Sequence, residues 1–177
     1  MPIDMKEVIA EAVKTLTFEK KVKKLTVKDI VQECNITRQA FYYHFEDIPE
    51  LLQWMLEKAS GQLLEECMKQ ENPEQGLSYF FTVATGMKTY NERGLQSNYG
   101  EEIEKILGDF IFDFFRTAME KNEAYKDYSS KDKEFMLRYH CQAIIGILRG
   151  WTKEDTKDMD YIVRQIYLML QGEIHPF

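Results

Sequence analysis

Proline and glycine are scarce in this sequence, at four and nine of 177 residues, and no tract of repeated or biased composition interrupts it. That scarcity excludes a collagen-like or low-complexity chain and leaves room for long helices. No stretch approaches the run of about eighteen apolar residues that crosses a bilayer, and the start Met1-Pro2-Ile3-Asp4 lacks a charged-then-apolar signal segment. The expected location is therefore the cytoplasm, with no membrane partner. The three cysteines, Cys34, Cys67 and Cys141, are odd in number and far apart, which excludes a disulfide framework, and no CxxC or HxxxH spacing offers a metal site. They read as small buried residues. A glycine-rich phosphate loop, a GxSxG elbow and an HExxH pair are also absent. No catalytic constellation is left, so neither an enzyme nor a cofactor is expected. His140, beside Cys141 but without a second histidine at ligand spacing, reads as a bonded structural residue.

A basic excess is lacking too. The formal charge of −7 counts against a nucleic-acid partner until its distribution is considered. Residues 1–50 are close to neutral and hold the densest basic cluster, Lys20, Lys21, Lys23 and Lys24, whereas the remainder carries nearly all the excess acid. One end of the chain is able to face phosphate while the other repels it.

What is present is helical periodicity. Met5, Ile9, Ala12, Val13 and Leu16 predict an amphipathic helix ending near the lysine cluster. Thr26, with Asp29 three residues on, has the form of a capping box, and Val27, Ile30, Val31 and Cys34 make one stripe behind it. Asn35 stops that helix, because asparagine tolerates the left-handed conformation of a tight turn. Thr37 caps a third, short helix through Phe45, and Asp47, Pro49 and Glu50 start a long helix to about Gln70. Pro73 opens the next helix, Asn91 to Gly100 reads as a loop, and residues 101–121, about 130–152 and about 159–171 are further helical segments, with Ser129 and Asp132 capping the second. No strand-like alternation competes, so the fold class is all-α.

At about 100° per residue the third helix puts Phe41 and Phe45 on one face and Gln39 and Tyr43 opposite, with Arg38 and Tyr42 to one side. Such side chains bond phosphates and base edges while their rings cover thymine methyls. The other reading is that Phe41-Tyr42-Tyr43-His44-Phe45 is simply core, but consecutive residues cannot all face one way on a helix. The segment from Thr26 to Phe45, with its buried-face Ile30, its turn ending in Ile36-Thr37, its Tyr42-x-His44-Phe45 close and the following Leu51, resembles the TetR family of transcription regulators. Within it, residues 39–45, Leu51-Leu52-Gln53-Trp54 and Gly146-Ile147-Leu148-Arg149-Gly150-Trp151 resemble the subgroup that includes dihydroxyacetone kinase operon activators.

The resemblance implies a helix-turn-helix domain over residues 1–46, with its motif at 26–45, and a helical effector-binding and dimerisation domain over 47–177. It implies that Thr26 and Thr37 meet phosphate at helix starts, and that Arg38, Gln39, Tyr42, Tyr43 and His44 face the major groove of double-stranded DNA. Asn35 stands where the family usually has glycine, and Ile48 where a lysine commonly touches phosphate. Lys24 and its neighbours are the substitute. The implied function is a DNA-binding repressor released by a small-molecule effector. The alternative is an activator or co-regulator working through a protein partner, with weak or no DNA binding of its own.

For a homodimer interface, one stripe contains Ile144, Leu148 and Trp151 and a second contains Ile162, Ile166 and Met169, so two antiparallel helices are able to pair with their copies. The competing reading turns both stripes onto the chain's own core. For an effector pocket, Tyr79, Phe80, Met87, Tyr90, Phe110, Phe114 and Tyr139 supply aromatic area, although aromatic residues at helical spacing also serve as ordinary packing.

Overall fold

The computed structural model describes residues 4–88, 94, 96–121 and 125–173. Every regular element among them is helical: α1 (Met5–Lys14), a π-helical turn (Thr15–Glu19), α2 (Val27–Glu33), α3 (Arg38–His44), α4 (Ile48–Met68), α5 (Pro73–Gly86), α6 (Gly100–Lys121), α7 (Ser130–Gly150), α8 (Lys153–Lys157) and α9 (Met159–Leu170). Residues 1–58 and 88–107 form one compact unit, and 59–87 and 108–177 a second.

The first unit is built on an apolar cluster of Ile9, Val13 and Leu16 from α1, Leu25, Ile30 from α2, Phe41 and Phe45, and Ile48 and Leu51 from the start of α4, with Tyr99, Ile103 and Ile106 packed against it. The starts of α1, α2, α3 and α4 each have a side-chain cap. Asp4 accepts from the Lys6 amide at 3.0 Å, Thr26 from Asp29 at 3.3 Å, Thr37 from Ala40 at 3.1 Å and Asp47 from Glu50 at 2.8 Å. Each cap satisfies an amide that its helix leaves without a partner. The first helix does not stop cleanly before the lysines. It widens into the π turn, with the Lys20 amide bonded to the Thr15 carbonyl at 2.9 Å.

The second unit has its own cluster, in which Phe80 and Phe81 of α5, Phe114 and Phe115 of α6, Leu137, Cys141 and Ile144 of α7, Trp151, and Val163 and Ile166 of α9 are all buried. The Phe80 and Phe114 rings lie 4.8 Å apart and Phe81 lies 5.6 Å from Trp151. Asn72 and Pro73 start α5, and Ser129 starts α7. Trp151 ends α7 by leaving helical geometry, and Thr152 and Asp155 then form a reciprocal capping box that starts α8, a helical turn not expected from the sequence. The Trp151 indole N–H donates to Thr156 Oγ1 at 3.0 Å, which satisfies the one polar atom of a buried ring. α9 packs along α5, with Arg164 paired to Glu74.

Gly76 marks the tightest approach in this unit. A Cβ there would stand 2.8 Å from the Cys67 carbonyl oxygen, a backbone atom that cannot rotate away. Gly76→Ala should therefore destabilise the protein by about 1–3 kcal/mol despite the better helix propensity of alanine. Urea denaturation followed by circular dichroism checks this, and an unchanged or raised midpoint would refute the close-packing account.

Candidate nucleic-acid interface

The turn between α2 and α3 depends on Asn35. Its φ of 55° is left-handed, the Ile36 amide bonds to the Val31 carbonyl at 2.9 Å, and the Asn35 amide bonds to Gln32 at 3.3 Å. These two bonds make a Schellman ending, which needs a residue that accepts the left-handed region, here asparagine rather than glycine. The chain then runs through extended Thr37 into α3.

Phe41 of α3 is fully buried, and Phe45 stands beside it at 1% exposure with ring centroids 6.1 Å apart. Opposite them, Tyr43 is 84% exposed and Gln39 is exposed, while Arg38 and Tyr42 are exposed to one side. His44 is half-buried, its ring edge-on to Tyr43 at 5.0 Å. Below this helix, Trp54 packs edge-on to Phe45 at 5.7 Å, and the Lys6 ammonium lies 4.9 Å from the Phe45 ring centroid. This brace was not read from the sequence, because nothing in the spacing of residues 6, 45 and 54 signals that they meet.

The two threonines differ in what they have left to offer. The Thr26 hydroxyl donates to the Asp29 carboxylate at 2.5 Å while accepting from the Asp29 amide, so both of its roles are used within the helix start. Thr37 is exposed and its hydroxyl accepts from Ala40, leaving its donor role open to an anion. Lys21, Lys23 and Lys24 are exposed, with Lys21 at a φ of 52°, whereas Lys20 is paired with Glu33 at 2.5 Å. Ile48 is buried in the core, so the aliphatic residue found there serves packing. The acids around it also have local roles: Asp47 caps α4, and Glu50 accepts from the Glu46 amide.

In the second unit, Ile144, Trp151 and Ile166 belong to the unit's own core, Leu148 and Ile162 are half-buried against it, and Met169 is 51% exposed. The exposed apolar residues on α7 and α9 are Phe135, Tyr139, Ile147, Tyr161 and Met169. Of the aromatic set, Phe114 meets Phe80 in the core and the partly buried Phe110 beside it, Tyr79, Met87 and Tyr139 are exposed, and Tyr90 lies outside the described residues. Burial pushes the Cys67 and Cys141 thiols up to about 11 and raises that of Cys34. His140 is half-buried against Tyr125, its Nε2 3.2 Å from a phenol oxygen whose own hydrogen goes to the Leu170 carbonyl at 2.5 Å. With that hydrogen committed, the imidazole must donate from Nε2.

A short helix that buries two phenylalanines, follows a tight left-handed turn and holds Arg, Gln and Tyr outward defines a helix-turn-helix transcription regulator. Residues 9–54 match the family described as "Bacterial regulatory proteins, tetR family", and residues 71–172 match "Transcriptional regulator C-terminal region", so the chain belongs to the TetR family. It is similar to the HTH-type dhaKLM operon transcriptional activator DhaS of Lactococcus lactis subsp. lactis (strain IL1403), at 27% identity over 149 residues, covering 81% of this chain and 76% of that protein. That likeness agrees with the subgroup resemblance. Among solved structures, it superposes on a dihydroxyacetone kinase operon activator DhaS with a TM-score of 0.60 at 22% identity, covering 96% of this chain and 95% of the other. It also superposes on the fatty acid degradation regulator FadR from Bacillus halodurans, with a TM-score of 0.54 at 14% identity, covering 99% and 98%. Both superpositions speak to the fold. No described helix is long and apolar enough to cross a membrane.

The burial of His140 makes stability depend on pH with a definite sign. Burial lowers its pKa below the ordinary 6.5, so below about pH 6.5 the unfolded chain binds more protons at this position than the folded one. The stability that neutral His140 provides is complete above that pH and is lost as pH falls. Urea midpoints measured from about pH 7.5 down to 5 should decline more steeply in the parent than in His140→Gln. Parallel slopes would contradict the assignment.

Proposed function

We propose that residues 1–46 read duplex DNA through α3, and that residues 47–177 provide the dimer contact and the site at which a signal is received. The carrying observation is the division of α3: Phe41 and Phe45 hold it to the core while Arg38, Gln39, Tyr42 and Tyr43 stand outward. These four side chains, with His44 at the edge, reach base edges and flanking phosphates, and Thr37 and Lys24 meet the backbone. Thr26 acts chiefly by capping α2, since a phosphate must displace Asp29 to take its hydroxyl hydrogen. The protein works in the cytoplasm by binding rather than by catalysis, a reading supported by the lack of any catalytic motif in the sequence.

The regulator acts as a repressor released by a small-molecule effector held among the aromatic residues of the second unit. A second reading, activation with a protein co-regulator, is favoured by the likeness to an operon activator. In either case one short helix contacts too few bases to select a site, so two copies reading paired half-sites are required.

Selection of sequences from a random duplex library by the purified chain tests the DNA reading. An enriched motif should contain two related half-sites about one helical turn apart, and affinity should fall as salt rises. Gln39→Ala and Tyr43→Ala should each weaken binding to that motif by about 1–3 kcal/mol without changing the unfolding midpoint. Failure to enrich any motif would overturn the proposal.

The dimer is proposed to form through α7 and α9, where Ile147, Tyr161 and Met169 remain exposed beside the partly buried Leu148 and Ile162. A two-fold interface repeats and buries any charge placed on it. Met169→Glu should give a folded monomer in light scattering, whereas Ile166→Glu should lose its helical circular dichroism altogether. A folded Met169→Glu dimer would rule out this face.

A further inference from the structure

The connector from Lys20 to Leu25 joins the π turn to α2 and has little backbone pairing of its own. Its bonds are Lys20 to Thr15 and Val22 to Leu16, after which the chain passes the exposed Lys23 and Lys24. Leu25 then turns inward to 5% exposure, immediately before the Thr26 cap. Both of its backbone polar groups are taken by a single side chain from far along the sequence. Asn98 Oδ1 accepts from the Leu25 amide at 2.9 Å, and Asn98 Nδ2 donates to the Leu25 carbonyl at 3.4 Å. A carboxamide that exchanges both bonds with one residue restrains the two peptide groups that flank it, as a residue on a neighbouring strand would.

Asn98 is itself held in place. The Gly100 amide bonds to the Ser97 carbonyl at 3.2 Å, the Tyr99 amide to Ser97 Oγ at 3.2 Å, and Tyr99, Ile103 and Ile106 pack on the same apolar cluster as Leu25, Ile30 and Phe41. The anchor thus sits on a supported segment of the same unit, and it acts where an irregular connector becomes the first helix of the motif.

We infer that Asn98 is a positioning residue for DNA reading: by fixing the peptide groups on either side of Leu25 it sets where α2 begins, and with it the turn at Asn35 and the presentation of α3. This rests on the reading of α3 as the helix that meets DNA. Asn98 itself touches no base. Its effect follows from geometry, because a recognition constellation loses affinity when its supporting shell lets it drift by about 1 Å. Removing the carboxamide also takes from the Leu25 amide a partner in a partly buried bond.

The test uses the full-length chain, the duplex that the parent enriches from a random library, and amide hydrogen exchange read by mass spectrometry. Asn98→Leu keeps the side-chain size and removes both bonds. It should lower affinity for that duplex about tenfold, the equivalent of one lost hydrogen bond, and speed exchange in peptides covering Leu25 to His44 while those covering Ser130 to Leu170 keep parental protection. Asn98→Asp retains the acceptor for the Leu25 amide but sets an oxygen against the Leu25 carbonyl, so it should fall between the two. Parental affinity and parental exchange in Asn98→Leu would overturn the inference. Loss of protection spread evenly over residues 5–58 would also overturn it, because that marks a general structural role. If the parent enriches no duplex, the DNA reading fails instead, and the exchange comparison still decides whether Asn98 holds the motif in place.

Discussion

Burial of the Phe41 and Phe45 rings is the contact on which the rest of the amino-terminal unit depends. A seven-residue helix has too few turns to be stable alone, so its place and rotation must come from what it packs against. The two rings enter a cluster supplied by α1, α2 and the first turn of α4, and each is almost wholly removed from water. Once they are seated, helical geometry leaves no choice for the opposite face, which carries Gln39 and Tyr43. The exposed Tyr42 and Tyr43 are a consequence of that rotation.

Charge follows a similar logic of prior commitment. A net charge of −7 is awkward for a protein that approaches phosphate. Near α3, however, several acids are occupied: Asp29 with Thr26, Asp47 and Glu50 at the start of α4, Glu33 with Lys20 and Glu7 with Lys58. The two ion pairs among these, Glu33 with Lys20 and Glu7 with Lys58, contribute little stability, but each places a cation beside an acid and weakens the repulsion it presents to DNA. Lys21, Lys23, Lys24, Lys28 and Arg38 are among the cations that face solvent.

How much was legible in the sequence depended on whether a signal is local. Thr26, Thr37 and Ser129 announce helix starts because the capping bond closes within three residues, and Pro73 does so because it suits a first turn; all four stand at helix starts. Asn35 was legible for the same reason, since its left-handed φ and Schellman bonds are a property of one turn. The opposed faces of α3 were legible because period alone determines them. Long-range choices were not. Ile144, Trp151 and Ile166 show the same stripe whether they meet their own chain or a copy, and they are buried in their own unit. The turn α8 escaped notice because its capping box lies between two longer apolar patterns, and Asn98 carries no sign that its partner is Leu25.

The central claim is that the outward face of α3 is the surface that touches DNA. Amide NMR of the isotopically labelled protein, titrated with a duplex it has selected, tests it most directly. The account predicts that the largest shifts fall on Thr37 to His44, with smaller ones at Lys21 to Lys24, while amides of α9 are undisturbed. Saturable binding that leaves Arg38, Gln39 and Tyr43 unshifted, with its changes confined to other helices, would contradict it.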